Sequence, residues 1–143
     1  MKKLLFFVAS IVLVGCSDDD SQDNQSNEEL IVGKWATLGS VRNDGPFEEY
    51  ENDCPTQKNY NEFLSDGTIT YYGYNSECEN VEVEPGTYEV DGDILYLYDS
   101  FDPPLDREFT IVSLDAEELV LYRSFTDGSD GQITETVTLE RID

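Results

Sequence analysis

At 143 residues the chain has room for one domain, and 32 Asp and Glu against 8 Lys and Arg leave it a formal charge of −24. A surface that negative repels nucleic acid and anionic lipid headgroups within a Debye length of about 8 Å at physiological salt, so neither is expected to bind it through charge. The chain has no His. That removes every Cys-His or Ser-His catalytic couple and leaves two or three thiols as a poor metal site, so no metal or other cofactor is expected.

In chain order, Lys2 and Lys3 precede a mostly apolar run from Leu4 to Val14, the charged start and greasy middle of a secretory signal. As a helix this run rises only about 16 Å against a hydrocarbon core of about 30 Å, too little to span a membrane.

The run ends in Leu13-Val14-Gly15-Cys16, which resembles the lipobox of bacterial lipoproteins. The resemblance implies that residues 1–15 are a signal peptide cut before Cys16. It also implies that the Cys16 thiol and the new amino group carry acyl chains of the palmitate type, which anchor the protein to a membrane. One acyl chain binds marginally, whereas two or more hold. The alternative is a plain signal peptide whose apolar run ends near a cysteine. With Cys16 acylated, Cys54 and Cys78 are left as an even pair in an exported chain, where a disulfide is the expected state. Closing a loop of that length contributes about 3 kcal/mol in the chain-entropy model.

Ser17 to Asn27 holds no apolar residue and includes Asp18, Asp19, Asp20 and Asp23. Such a stretch buries too little to order itself, so residues 16–29 read as the lipidated cysteine and a flexible acidic tether of about 20 Å. Ser17-Asp18-Asp19-Asp20 also resembles the export tag that, in some Gram-negative bacteria, sends lipoproteins across the outer membrane to the cell surface. It reads equally well as a solvated spacer. The expected location is the cell envelope, lipid-anchored at the outer membrane, on either face.

From Leu30 the texture changes to short alternating runs of Thr, Tyr, Val, Ile and Phe, broken about every ten residues by Gly, Asp, Asn and Pro. This is the all-β pattern, apart from one helical turn around Glu28 to Val32. Strands are predicted at 32–42, 58–65, 68–76, 86–91, 93–99, 107–114, 118–126 and 131–141. Ser65-Asp66-Gly67, Asp91-Gly92 and Asp127-Gly128 are hairpin turns, and Asp115 to Glu118 is a longer one. Short links make neighbours antiparallel. Alternation then puts Ile69 with Tyr71, Tyr88 with Val90, Leu95 with Leu97, Phe109 with Ile111, Leu119 with Leu121, Arg123 and Phe125, and Val137 with Leu139 on the inward face. Eight such strands are enough to close a barrel, which removes the exposed edges.

Gly33-Lys34-Trp35 opens the first strand, and Cys54 runs through "KNYNEFLSDGTITYYGYNSEC" to "GTYEVDGDILYLYD". Together these resemble the lipocalin-like domains of secreted bacterial lipoproteins. The resemblance covers nearly all of residues 30–143 and implies an antiparallel, up-and-down eight-stranded barrel of the calycin type. It further implies that Trp35 packs across the closed end beneath an arginine from the last strand, for which Arg141 is placed, so that Gly33, Trp35 and Arg141 are structural. The T-D-x-x-Y turn of lipocalins is absent. Two functions follow. The first is binding of a small apolar or amphipathic ligand inside the barrel. The second is a structural or interaction protein with a filled barrel, meeting another envelope protein through its surface. An internal cavity of about 300 Å³ or more separates them.

The candidate lining of that cavity is Tyr71, Tyr88, Phe109, Leu121 and Arg123. Arg123 is the most informative, because an inward cation among Leu119 and Leu121 is costly unless paired. It either meets the carboxylate of a fatty acid or similar acidic ligand, or it pairs with one of the chain's many carboxylates or reaches the barrel rim. Tyr71, Tyr72, Tyr74, Tyr96 and Tyr98 cluster on two hairpins, and alternation turns half of them outward. "DGSDGQ" at 127–132 reads as a turn, and "FDPPLD" at 101–106 as a proline-stiffened loop over a barrel mouth. No nucleophile elbow or phosphate-cradling loop is present, so a non-enzymatic protein is expected.

Overall fold

A computed structural model describes residues 25–99, 106–128 and 131–142. The signal segment, Cys16 and most of the tether lie outside the described residues, as do residues 101–105 of the proline loop. The tether is ordered earlier than its composition suggests, because residues 27–30 form α1 (Asn27–Leu30). Its physical cause is a capping box: the Glu29 N–H donates to the Ser26 hydroxyl and the Ser26 N–H to the Glu29 carboxylate, satisfying two backbone donors that a helix start leaves open. The Asn27 side chain pins the helix to the chain by donating to Gly92 O at 2.9 Å and Asp93 Oδ1 at 3.1 Å.

Among the described residues nine strand segments follow: β1 (Gly33–Arg42), β2 (Phe47–Glu49), β3 (Tyr60–Phe63), β4 (Thr68–Tyr74), β5 (Asn80–Asp91), β6 (Ile94–Asp99), β7 (Asp106–Leu114), β8 (Glu118–Asp127) and β9 (Gly131–Ile142). They pair antiparallel in order around the ring, and β9 returns to β1 to close it. The barrel has eight staves, since β2 and β3 are two pieces of one stave. β2 pairs with Gly39–Val41 of β1 and β3 with Gly33–Ala36, on the same edge. Gly39 is required there: a Cβ would sit 2.3 Å from Glu48 O and 2.5 Å from the Phe47 ring. β2 has no counterpart in the alternation, because all three of its residues are exposed.

β5 starts six residues earlier than its apolar pattern indicates. Pro85 and the exposed Val81 and Val83 argue against a strand, yet residues 80–85 continue the ladder with β4, with Pro85 opposite Thr70 and Asn80 opposite Tyr74. Between the two pieces of the split stave, residues 50–59 make an excursion carrying Cys54. The expected Cys54–Cys78 disulfide is formed, with Cα atoms 4.9 Å apart, and ties the excursion to the β4–β5 turn. The Asn59 side-chain oxygen accepts from Tyr74 N at 2.8 Å and continues the tie.

The inward faces follow the alternation. Ile69, Val90, Leu95, Phe109, Ile111, Leu119, Leu121 and Leu139 form the buried core, with Tyr88, Leu97 and Val137 packed against it. The lower end is filled solid. Ile31, Trp35, Leu95 and Leu119 are fully buried, and the buried Trp35 indole donates to Ile31 O at 2.7 Å, as a buried indole N–H must. The Arg141 guanidinium lies 4.3 Å from the Trp35 ring and donates to the carbonyls of Ala116, Val32 and Leu30. Gly33 sits beneath it at φ +141°, where a Cβ would come within 2.2 Å of Arg141 Nη1. The glycine, tryptophan and arginine of the signature are thus one packed unit.

Because Arg141 is pinned by three carbonyls and cannot swing aside, Gly33→Ala is expected to lower stability by about 2–3 kcal/mol in urea denaturation. The double change Cys54→Ala with Cys78→Ala is expected to cost about 3 kcal/mol by the same measurement, the loss of loop closure.

Candidate functional site

Above the solid floor the barrel is hollow. Two adjoining compartments, of about 200 Å³ and about 280 Å³, share the walls Asn61, Ile69, Leu97 and Arg107. Their linings together draw on all eight staves, so the space is the barrel interior. Either compartment alone falls below the roughly 300 Å³ at which ligand pockets begin, and their adjoining walls make one small chamber. Its lower wall is apolar: Phe63, Phe109, Leu121, Val137 and Leu139. Its upper wall is polar and charged, with Arg123 and Glu135 in one compartment, Glu84 and the neutral Tyr71 in the other, and Arg107 in both.

Of the five candidate lining residues, the structure brings Phe109, Leu121 and Arg123 to the first compartment and Tyr71 to the second. Tyr88 lies apart. Its ring meets Phe63 edge-on at 5.0 Å, its hydroxyl donates to Leu64 O at 2.8 Å, and it faces a crevice beside α1. Tyr72 and Tyr74 turn outward as alternation requires; Tyr72 stacks on Tyr60 at 4.9 Å and Tyr74 lies tilted to it at 6.4 Å, with Lys34 over the Tyr60 ring. Burial first, then the hydrogen bond its hydroxyl gives to Tyr74, pushes the Tyr60 hydroxyl up to about 12. Burial likewise pushes the Tyr71 hydroxyl up, helped by its bond to Tyr50 and by Glu82 and Glu84, so both stay protonated donors at neutral pH.

Arg123 is paired. Its Nε donates to Glu135 Oε2 at 2.7 Å, with Nη2 on the same oxygen. The other carboxylate oxygen, Oε1, takes Arg42 Nη2 at 3.1 Å. Glu135 is the buried charged residue of the described core, 7% exposed. It stands on β9 directly across from Arg123 on β8 and from Arg42 on β1. Phe125 and Phe109 flank the Arg123 guanidinium at 4.4 and 5.3 Å, holding its plane by cation–π contact.

Glu135, Arg107 and Asn61 were not singled out in the sequence, although a signal existed: each stands two residues from an inward apolar residue, Val137, Phe109 and Phe63. Arg42 had no such signal. The β1–β9 register slips at Leu38, between Thr37 paired with Leu139 and Gly39 paired with Thr138. One extra residue reverses the inward phase of all that follow. Trp35 and Thr37 point in before the bulge, and Ser40 and Arg42 after it.

A closed antiparallel barrel with a sealed floor and a hollow upper half belongs to the class of eight-stranded barrels that enclose a small chamber. Within that class the chain belongs to the lipocalin-like domain family, which matches it over residues 31–121. Among solved structures it is similar to a lipocalin-like protein from Bacteroides uniformis at 14% identity and TM-score 0.55, the match covering 78% of this chain and 97% of that one. It is also similar to a protein from Bacteroides eggerthii at 15% identity and TM-score 0.56, covering 78% and 98%. At these identities the likeness is one of fold. No curated protein matches the chain.

Burial alone would raise the Glu135 carboxyl, but the hydrogen bonds and charges of Arg123 and Arg42 outweigh it and hold the group below its ordinary 4.5. A carboxyl lowered in the folded state adds stability above its unfolded value, lost as pH falls through the folded one. Glu135→Gln is therefore expected to destabilise the barrel by about 2–3 kcal/mol at pH 7, less than a fully buried pair because Arg42 is mostly exposed. The difference from wild type should shrink steadily below pH 4 when urea midpoints are compared across pH.

Proposed function

We propose that this protein is a non-enzymatic, lipid-anchored lipoprotein of the cell envelope whose barrel binds a small amphipathic ligand. The observation that carries the binding reading is the two-toned chamber: apolar Phe109, Leu121, Val137 and Leu139 below, charged Arg123 and Glu135 above. The hollow upper half, about 200 Å³ and about 280 Å³ in two adjoining compartments, leaves room for a small molecule that touches both walls. Anchoring rests on the apolar run Leu4 to Val14, the lipobox-like Leu13 to Cys16 and the acidic stretch that follows. The acidic stretch supports attachment at the outer membrane, with Ser17 to Asp20 serving as a spacer or as an address for the cell surface.

Native mass spectrometry of the protein isolated from its own envelope without denaturation tests the binding reading. A co-purifying small molecule is expected; an empty barrel in a stable complex with a second protein overturns it. Feeding cells an alkynyl palmitate analogue tests the anchor. Label is expected in wild type and absent in Cys16→Ser, and equal labelling of the two overturns acylation at Cys16.

A further inference from the structure

The two sulfurs of the Cys54–Cys78 disulfide stand in unlike surroundings. Cys54 is 3% exposed, and the segment Cys54-Pro55-Thr56-Gln57 bends back so that two backbone donors meet its sulfur. The Gln57 N–H donates to Cys54 Sγ at 3.0 Å and the Thr56 N–H at 3.4 Å. The Thr56 hydroxyl lies 3.6 Å from that sulfur and 3.4 Å from Cys78 Sγ. Disulfide sulfurs carry no hydrogen, so the hydroxyl is the donor.

Cys78 is partly exposed, and the exposed Glu77 and Glu79 flank it in the chain. Among the described residues no backbone N–H donates to its sulfur, and negative charge placed there meets two neighbouring carboxylates. Cys54 has one acidic neighbour in the chain, Asp53.

A neutral disulfide sulfur is a weak acceptor and gains little from two N–H groups. A thiolate gains far more, because a charged acceptor roughly doubles the strength of a hydrogen bond. The donors around Cys54 are therefore placed for the charge this sulfur acquires when the bond opens. Opening is also local. The excursion stays tied by the Tyr50 N–H to Leu38 O at 2.8 Å, the Asn59 N–H to Asn52 Oδ1 at 2.7 Å and the Tyr74 N–H to Asn59 Oδ1 at 2.8 Å.

We propose that Cys54–Cys78 is a directional thiol-exchange site, opened at Cys78 by an external dithiol with Cys54 as the leaving group. The incoming thiolate attacks Cys78 Sγ, the sulfur within reach of solvent. As the new S–S bond forms, the Sγ–Sγ electron pair leaves on Cys54, where the Thr56 and Gln57 N–H groups and the Thr56 hydroxyl receive the charge. The second thiolate of the dithiol then attacks the partner sulfur of the mixed disulfide, and Cys78 leaves and takes up a proton the dithiol has shed. Two electrons pass to the protein, and the dithiol ends as its own disulfide.

Dithiothreitol acting on the full chain tests this, with Cys16→Ser in every sample so that no third thiol competes. Its rate, divided by the rate with oxidised glutathione in the same buffer, is expected to be about tenfold higher for the folded chain than for the chain unfolded in urea. A disulfide that only braces the fold is shielded by it and reacts more slowly when folded. Thr56→Val, which removes the hydroxyl and keeps both N–H groups, should slow the folded chain about threefold and leave the urea rate unchanged. Brief exposure to reduced glutathione, stopped with N-ethylmaleimide under denaturing conditions and mapped by peptide mass spectrometry, reads the direction. Glutathione is expected on Cys78 in about tenfold excess over Cys54, falling toward parity in urea. Circular dichroism establishes that the reduced chain and Thr56→Val are folded, and the mapping needs no variant at the donors. Slower reaction of the folded chain, a folded rate indifferent to Thr56→Val, or glutathione spread evenly or mainly on Cys54 overturns the proposal.

Discussion

The ring closes where β9 pairs with β1, and the rest of the structure depends on the single extra residue in that ladder, Leu38. A regular β1 would present one phase of side chains inward along its length. The bulge splits it into two phases, so one strand sends Trp35 into the floor and Arg42 toward the mouth. It also bends the strand, which must follow β9 on one side and two separate segments, β2 and β3, on the other. The Leu38 carbonyl accepts from the Tyr50 N–H at 2.8 Å, which ties the bulge to the start of the 50–59 excursion.

Floor and mouth use arginine in opposite ways. At the floor, Arg141 lies over an indole and gives its hydrogens to three backbone carbonyls. It serves as a cap whose charge is spread over π density and carbonyl dipoles. At the mouth, Arg123 and Arg42 share one carboxylate across two ladders. That arrangement is economical in a chain so rich in acid. A single buried Glu135 stitches β8, β9 and β1 together at the upper end, as Trp35 and Arg141 do at the lower.

The split stave explains the position of the disulfide. An eight-stranded barrel in which one stave is interrupted by a ten-residue excursion loses ladder hydrogen bonds there, and residues 50–59 bury little. Cys54 is itself buried at 3% exposure. Linking it to Cys78, 24 residues on, fastens the excursion to the long β4–β5 hairpin and limits what the unfolded chain can explore.

Most strands and nearly all inward faces were legible in the sequence, because alternation and Asp-Gly turns are written by neighbours along the chain. Leu119 and Leu121 face inward whatever else the fold does. The signature Gly33, Trp35 and Arg141 was legible by resemblance, and its reason became visible only in space: the missing Cβ of Gly33 is the room that Arg141 occupies. Three features lay beyond the sequence. β2 carries no apolar signal, β5 extends past the residues that pack, and Arg42 points inward against the phase of Trp35. Each depends on which strand lies alongside, a contact between residues far apart in the chain. Local sequence therefore determined the staves, their faces and the presence of an inward Arg123. Only closure of the ring decided that Arg123 shares Glu135 with Arg42, because the bulge that turns Arg42 inward exists to fit β1 between neighbours 60 to 140 residues into the chain.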